Sequence, residues 1–430
     1  MLIEFSVANY RSFKDKVTFS MLASEDTTHE ETHVIKLPNG ERYLKTAVIY
    51  GANASGKSSF INALSDMSQL VYTSIQKQPD DPISVIPFGL DKTYQNKPTS
   101  FDLICYVNGI KYAYGMVLDS TNVLEEYLYY FEGDKQRTIF ERTNTTAYNF
   151  ADEYGKNDKI EVEVLKYFQK FTANNKLYLS VAVMLDYAPV KDVYNWVSSM
   201  YPSGSVMAYN LLKDGYFGGK GDLQYARSII SKAIDWVKDI DTGIKDIEIE
   251  ENSDLFKDDY LNQGKFTSDN LIKLLNNLYS IHETMTVDGT VQTTKFRFYN
   301  SESDGTQSFF IMAIAVAERM SHGAIFLKDE LSTNLHTMLS THTVELFYKQ
   351  NFNSLSQLIF TNHDTNLMND QLFRRDQIWF TEKDEQTGAT ELFSLVDFDV
   401  PQDTVEVDIE KGYLMGVYGA IPFIKGDSRG

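Results

Sequence analysis

The segment Gly51-Ala52-Asn53-Ala54-Ser55-Gly56-Lys57-Ser58 satisfies G-x-x-x-x-G-K-[ST] without a mismatch, and it constrains this chain more than any other stretch. The pattern has a mechanism only between a strand and a helix, where the glycines let successive backbone N–H groups curl around phosphate oxygens. Both neighbours are present. The apolar run Leu44 to Tyr50 predicts a strand before the loop, and the spacing of Phe60, Ile61, Leu64 and Met67 predicts a helix over Ser59 to Leu70. The helix N-terminus would add positive dipole, Lys57 would reach the β- and γ-phosphates of a nucleotide, and Ser58 would hold Mg²⁺. Gly51, Asn53, Ala54, Ser55, Gly56, Lys57, Ser58 and Ser59 are therefore the candidate nucleotide-binding residues. The bland alternative is a glycine turn ahead of a helix.

A phosphate loop needs a further carboxylate for its metal. Ala324-Ile325-Phe326-Leu327 predicts a buried strand that runs through Lys328 into Asp329-Glu330, a Walker B pattern. Asp329 would bind Mg²⁺ through water, and Glu330 would polarise the attacking water. Read alone, the two acids are also an ordinary solvated strand end. Ser303-Asp304-Gly305-Thr306-Gln307 opens a predicted helix running to Met320, so the Ser303 hydroxyl and the N–H groups near Gly305 would cap either the helix or a second anion. His363 follows the strand Gln357 to Thr361, and Arg11 lies in a polar turn. Taken singly, these last two read as a solvated loop histidine and a turn residue.

The rest of the chain supplies context. Residues 2–8 and 16–22 alternate as a hairpin around Asn9 to Asp15, and Asn108-Gly109 joins Phe101 to Val107 with Ile110 to Leu118. Residues 123–142 keep the strand character. Between about 175 and 290 the spacing turns helical, at Val181 to Tyr201 and Leu223 to Ile240, with a glycine-rich turn from Gly215 to Gly221; sheet character returns at Lys295 to Tyr299. A length of 430 residues predicts two or three domains. Sixty acids against 40 Lys and Arg give a formal charge of -20, which opposes non-specific attraction to a phosphate backbone. The single cysteine, Cys105, excludes an internal disulfide framework and a zinc ribbon. No window of 18 apolar residues occurs, and the opening Met1-Leu2-Ile3-Glu4-Phe5-Ser6 is acidic and does not read as a signal peptide. A cytoplasmic protein with no membrane contact is expected.

In chain order, phosphate loop, Ser-x-Gly helix start, Asp-Glu pair and strand-then-histidine are the parts of an ABC-type ATPase head. On these residues the chain resembles the RecF/SMC-like ABC ATPases, specifically the AAA_15 or OLD-like group. That group includes the abortive-infection AbiL and RloA proteins and the ATPase subunit of the PARIS anti-phage system. The similarity spans nearly the whole chain. Its markers are Met1 to Phe13, Tyr50 to Ser58, Ser303 to Gln307, Glu410-Lys411-Gly412-Tyr413-Leu414, and Gly419-Ala420-Ile421-Pro422-Phe423.

The resemblance implies an α/β fold: an ABC-type P-loop head with a mixed sheet, an N-terminal antiparallel β-subdomain and a mainly helical insertion. The divisions would be 1–175, 176–290 and 291–430. It implies ATP and Mg²⁺ as cofactors, and a head that dimerises or builds higher homo-oligomers around ATP. Ser303 and Gly305 of one copy would touch the γ-phosphate held by Lys57 of the other. Glu330 would be the catalytic base, His363 the switch histidine, Arg11 a further nucleotide contact, and Leu331 to His336 the D-loop. Two departures stand out: Thr337 replaces the usual proline after Leu-His, and Val85 to Phe88, where a Q-loop glutamine belongs, contains none. OLD proteins also carry a Toprim nuclease, and Asp397-Phe398-Asp399 mimics one of its elements. Residues 364–430 are too few for that sheet, so any nuclease is expected in another chain. The expected role is a sensor or scaffold of an anti-phage system, responding to a phage trigger and controlling a separately encoded effector such as a nuclease or toxin. The rivals are a RecF- or SMC-like DNA-maintenance ATPase that binds nucleic acid directly, and an ABC transporter subunit.

Overall fold

The computed structural model describes residues 1–150, 162–200, 204–216, 222–240, 243–250, 272, 275–349, 355–398 and 409–421. The chain divides into two compact units. One comprises Met1–Tyr201, Leu327–Glu330 and Phe347–Gly430; the other comprises Pro202–Phe326 and Leu331–Leu346.

The first unit is built on the strand Thr46–Tyr50, whose five residues are all buried. A strand covered on both faces needs apolar or satisfied side chains throughout, and parallel pairing on each edge provides that setting. Gln357–Thr361 and Ile378–Lys383 pair with it in parallel, one on each side. The full five-stranded order is Ile325–Lys328, Gln357–Thr361, Thr46–Tyr50, Ile378–Lys383, Thr390–Ser394, with the last pair antiparallel. The helix Lys57–Thr73 follows the central strand and buries Phe60, Ile61, Leu64, Met67, Leu70 and Val71. Phe60 meets Phe5 edge-on at 5.9 Å and Phe19 at 5.0 Å, both from a second, seven-stranded antiparallel sheet. The phosphate-loop helix is thus pinned by aromatic packing, each buried side chain contributing about 1.5–3 kcal/mol.

The seven-stranded sheet runs from Ala147–Phe150 to Val17–Ser20, with Leu2–Ala8 as its sixth strand. Thr99–Val107 alternates between buried and partly exposed positions at every step, the signature of one core-facing side. Asn108 and Gly109 both take positive φ, 47° and 87°, as a two-residue hairpin turn requires. On neighbouring strands Glu126 faces Arg142 in register, both of them buried. Glu126 accepts the N–H groups of Tyr178 (2.5 Å) and Leu179 (3.0 Å), capping the helix Tyr178–Met184 from outside it. Arg142 donates to the carbonyls of Thr145, Asn174 and Lys176. Burial pushes the Glu126 carboxyl up from its ordinary value, against the pull of Arg142.

The second unit contains the helices Gly204–Tyr216, Leu223–Asp239 and Asp304–Ser321 and the antiparallel strands Ile244–Ile249, Leu278–Met285 and Val291–Arg297. Asp222 caps Leu223–Asp239 by accepting from the N–H groups of Gln224 and Tyr225.

The α/β architecture expected from the sequence, with a mixed sheet and an N-terminal antiparallel sheet, is the one found. Three local expectations change. The described residues of Val181 to Tyr201 hold two helices, Tyr178–Met184 and Lys191–Ser198, because Asp186 takes a left-handed φ of 60° and Pro189 sits in the 3-10 turn Ala188–Val190 between them. The strand before the loop begins at Thr46, because Arg42–Leu44 pairs instead with Val34–Lys36. The sheet expected over Lys295 to Tyr299 ends at Arg297, where Phe298–Ser301 turns into a short helix. The glycine-rich turn lies partly outside the described residues, as do Asp399, Pro422 and Phe423. No helix among the described residues is long and apolar enough to cross a membrane.

Candidate nucleotide-binding site

The loop between Thr46–Tyr50 and Lys57–Thr73 is shaped by contacts from distant strands. A Cβ on Gly51 would fall 2.6 Å from Ser55 Oγ and 2.7 Å from Thr381 Oγ1; one on Gly56 would overlap the Thr390 side chain and sit 3.0 Å from Ser12 Oγ. Gly56 also takes a φ of 119°. Both positions therefore demand glycine for space, and Gly56 for conformation as well. Ser55 Oγ bonds Thr381 Oγ1 at 2.7 Å, Thr390 Oγ1 donates to Ser55 O at 2.7 Å, and Thr390 N donates to Ser12 O at 2.8 Å. Asn53, Ala54 and Ser58 are exposed and Ser59 is partly so. No side chain caps the helix start at Gly56, and its first turn carries no acid. Its leading N–H groups therefore remain available to an anion.

Lys57 is buried, and its Nζ donates to Gly51 O at 2.7 Å and Ala52 O at 2.8 Å. Burial pulls its ammonium down to about 8, while Glu330 and Asp329 push the other way. Those acids stand at the end of Ile325–Lys328. Thr361 Oγ1 donates to Asp329 Oδ1 at 2.6 Å and accepts from Glu330 N at 2.8 Å. Glu330 takes a left-handed φ of 52°, and its Oε1 lies 3.2 Å from His363 Nε2, both side chains half-exposed. Lys57, Asp329, Glu330 and His363 thus gather at the ends of three adjacent strands, the position where α/β sheets bind ligands.

Arg11 is held elsewhere in the same unit. It takes a φ of 49°, its N–H donates to Ile86 O at 2.7 Å, and its guanidinium lies 3.4 Å from Asp66, on the phosphate-loop helix. Tyr10 Oη donates to the same Asp66 carboxylate at 2.5 Å. The segment Val85 to Phe88 is fastened to this turn, Phe88 N donating to Asn9 Oδ1.

Ser303 and Gly305 belong to the second unit. Ser303 Oγ accepts from Thr306 N at 3.1 Å, the helix-cap arrangement, and its residue is exposed. A Cβ on Gly305 would lie 3.2 Å from Asn334 O, so the signature turn abuts the expected D-loop. Asp397 accepts from Ser394 N within a capping box, an ordinary structural task.

The residues fit a magnesium nucleotide: a glycine cradle that a Cβ would fill, uncapped helix N–H groups, an exposed Ser58 hydroxyl and a strand-end Asp329. Among the described residues no group of three or more His, Cys, Asp or Glu forms a metal cage. A donor set of one hydroxyl and one carboxylate, completed by phosphates and waters, is the usual way of holding Mg²⁺. Thr361, Thr381, Thr390 and Asp66 were not legible from the sequence. The threonines contact the site from far along the chain and carry no local motif.

Residues 47–369 match the family described as "AAA domain, putative AbiEii toxin, Type IV TA system" (AAA_21). The chain belongs to this family. AAA_21 is a P-loop ATPase family related to the AAA_15 group named above, while membership of the OLD-like group itself is not shown. No curated protein matches the chain. Solved structures that match include an SMC head bound to the C-winged helix domain of ScpA, at 12% identity with a TM-score of 0.41, covering 91% of this chain and 97% of that one. Another is the SMC head domain from Thermotoga maritima, at 10% identity and a TM-score of 0.38, covering 93% of this chain and 99% of that one.

Proposed function

We propose that this AAA_21 chain binds and hydrolyses ATP. The observation that carries the reading is the convergence of Lys57, Asp329, Glu330 and His363 beside a glycine loop that admits no Cβ. Lys57 would exchange the carbonyls of Gly51 and Ala52 for β- and γ-phosphate oxygens, and the N–H groups of Gly56 to Ser59 would line the phosphates. Ser58 and Asp329 would hold Mg²⁺, which when bound neutralises the charge that builds on the phosphates. Glu330 would take the proton of the attacking water, with His363 orienting the carboxylate from 3.2 Å. Arg11, through Asp66, would brace the loop helix or reach the nucleotide.

In this reading two copies pair around two ATP molecules, with the Ser303 to Gly305 turn of one closing on the phosphates of the other. The pair acts as a sensor or scaffold of an anti-phage system, controlling a separately encoded effector. The family description names a toxin of a type IV toxin–antitoxin system, and a system of more than one protein is what this reading carries over to the chain. The formal charge of -20 suits a basic protein effector better than DNA. The test is co-purification from a native host with tagged Glu330→Gln protein held in its ATP state. A nuclease or toxin at fixed stoichiometry upholds the reading; DNA with repair proteins replaces it with a maintenance ATPase.

A further inference from the structure

We propose that Thr361 is the positioning residue of this site: a single buried hydroxyl fixes both acids of the Asp329-Glu330 pair. This deepens the ATPase reading and rests on it. Thr361 ends the strand Gln357–Thr361, between the phosphate-loop strand and the strand that carries the acids, and has 0% exposure. A fully buried strand end is a natural place for valine, which has the same shape; burying a hydroxyl there is costly unless both its roles are used. Both are used. Its proton goes to Asp329 Oδ1 at 2.6 Å, and its lone pair receives the Glu330 N–H at 2.8 Å.

The two bonds have separate effects. The first commits Oδ1 of Asp329 and leaves Oδ2 for a metal-bound water. The second holds the Glu330 backbone at a φ of 52°, a conformation disfavoured for a residue with a Cβ. Rotation out of that conformation would swing the Glu330 carboxylate away from His363 Nε2, now 3.2 Å from Oε1. Thr361 touches neither phosphate nor water in this scheme. It acts through the two carboxylates, so its loss should appear in turnover and metal dependence rather than in nucleotide capture.

The experiment compares the full chain with Thr361→Val and Thr361→Ser, measuring ATP affinity, kcat, KM and the Mg²⁺ concentration for half-maximal rate. Expected for Thr361→Val are near-unchanged ATP affinity, a kcat lower by about 10–100-fold, and a raised Mg²⁺ requirement, the range typical of residues that orient ligands from behind. Thr361→Ser should recover most of both. Equal losses in Val and Ser would assign the residue to packing and overturn the proposal, as would an unchanged kcat in Val or a defect confined to KM. If Val fails to fold by circular dichroism, Thr361→Ala against Thr361→Ser makes the same comparison. Lys57→Ala serves as the control. Normal ATP affinity in that variant removes the site reading and this proposal together; lost affinity with an indifferent Thr361 removes the proposal alone.

Discussion

At the scale of single residues, the ammonium of Lys57 is the informative group, because burial holds it at about 8. Polyphosphate charge favours the protonated form, so binding raises this value. Between about pH 8 and 10 the bound protein therefore carries more protons than the free protein, and affinity weakens as pH rises, by at most about tenfold per pH unit. Calorimetry at pH 9 in buffers of different ionisation enthalpy should record proton uptake on ATP binding; equal heats in all buffers would contradict the assignment. Lys57→Ala should lose ATP binding outright. The lysine and the two acids were legible in the sequence because their spacing within motifs is short. Thr361, Thr381 and Thr390 were not, because only folding brings them to the loop and threonine in a strand has an ordinary explanation. Ser303 answers in part to the plainer reading, since its hydroxyl already caps its own helix.

At the scale of elements, the loop's shape depends on the two strands to one side of it, through Thr381 and Thr390. Gly56→Ala would place a methyl group on Thr390 and force a φ of 119° on a residue with a Cβ. Expected are folded protein and ATP affinity reduced at least about tenfold, read by equilibrium binding. Elsewhere the pair Glu126 and Arg142 joins the antiparallel sheet to the helix Tyr178–Met184. Arg142→Met would remove the positive charge facing a buried carboxylate and leave the carbonyls of Thr145, Asn174 and Lys176 without their donor, costing about 1–3 kcal/mol. Glu126 has a raised value in the folded protein, so the folded state holds its proton more tightly, and stability is regained as pH falls through that raised value. Melts of Arg142→Met should therefore show a smaller deficit at pH 5 than at pH 8. Strand positions were read well, from alternation in Leu2–Ala8 and from an apolar run in Gln357–Thr361. Helix limits were read poorly between Tyr178 and Ser198, where one proline and one left-handed aspartate outweigh apolar spacing.

At the scale of the whole molecule, the proposed pairing makes one clear demand. Glu330→Gln with ATP should run as a dimer in light-scattering chromatography, and adding Ser303→Arg should return it to a monomer while ATP affinity stays within about twofold. A dimer that persists would remove Ser303 from the interface. The lysine that the loop keeps for itself has a wider consequence. Because Lys57 is already bonded to Gly51 O and Ala52 O, a ligand gains from it only by offering better oxygens in exchange. In the proposed binding mode ADP and ATP would carry phosphates far enough along the loop to make that trade, whereas AMP and adenosine would not. The protein would then gauge ligands by phosphate number, passing over nucleosides and monophosphates.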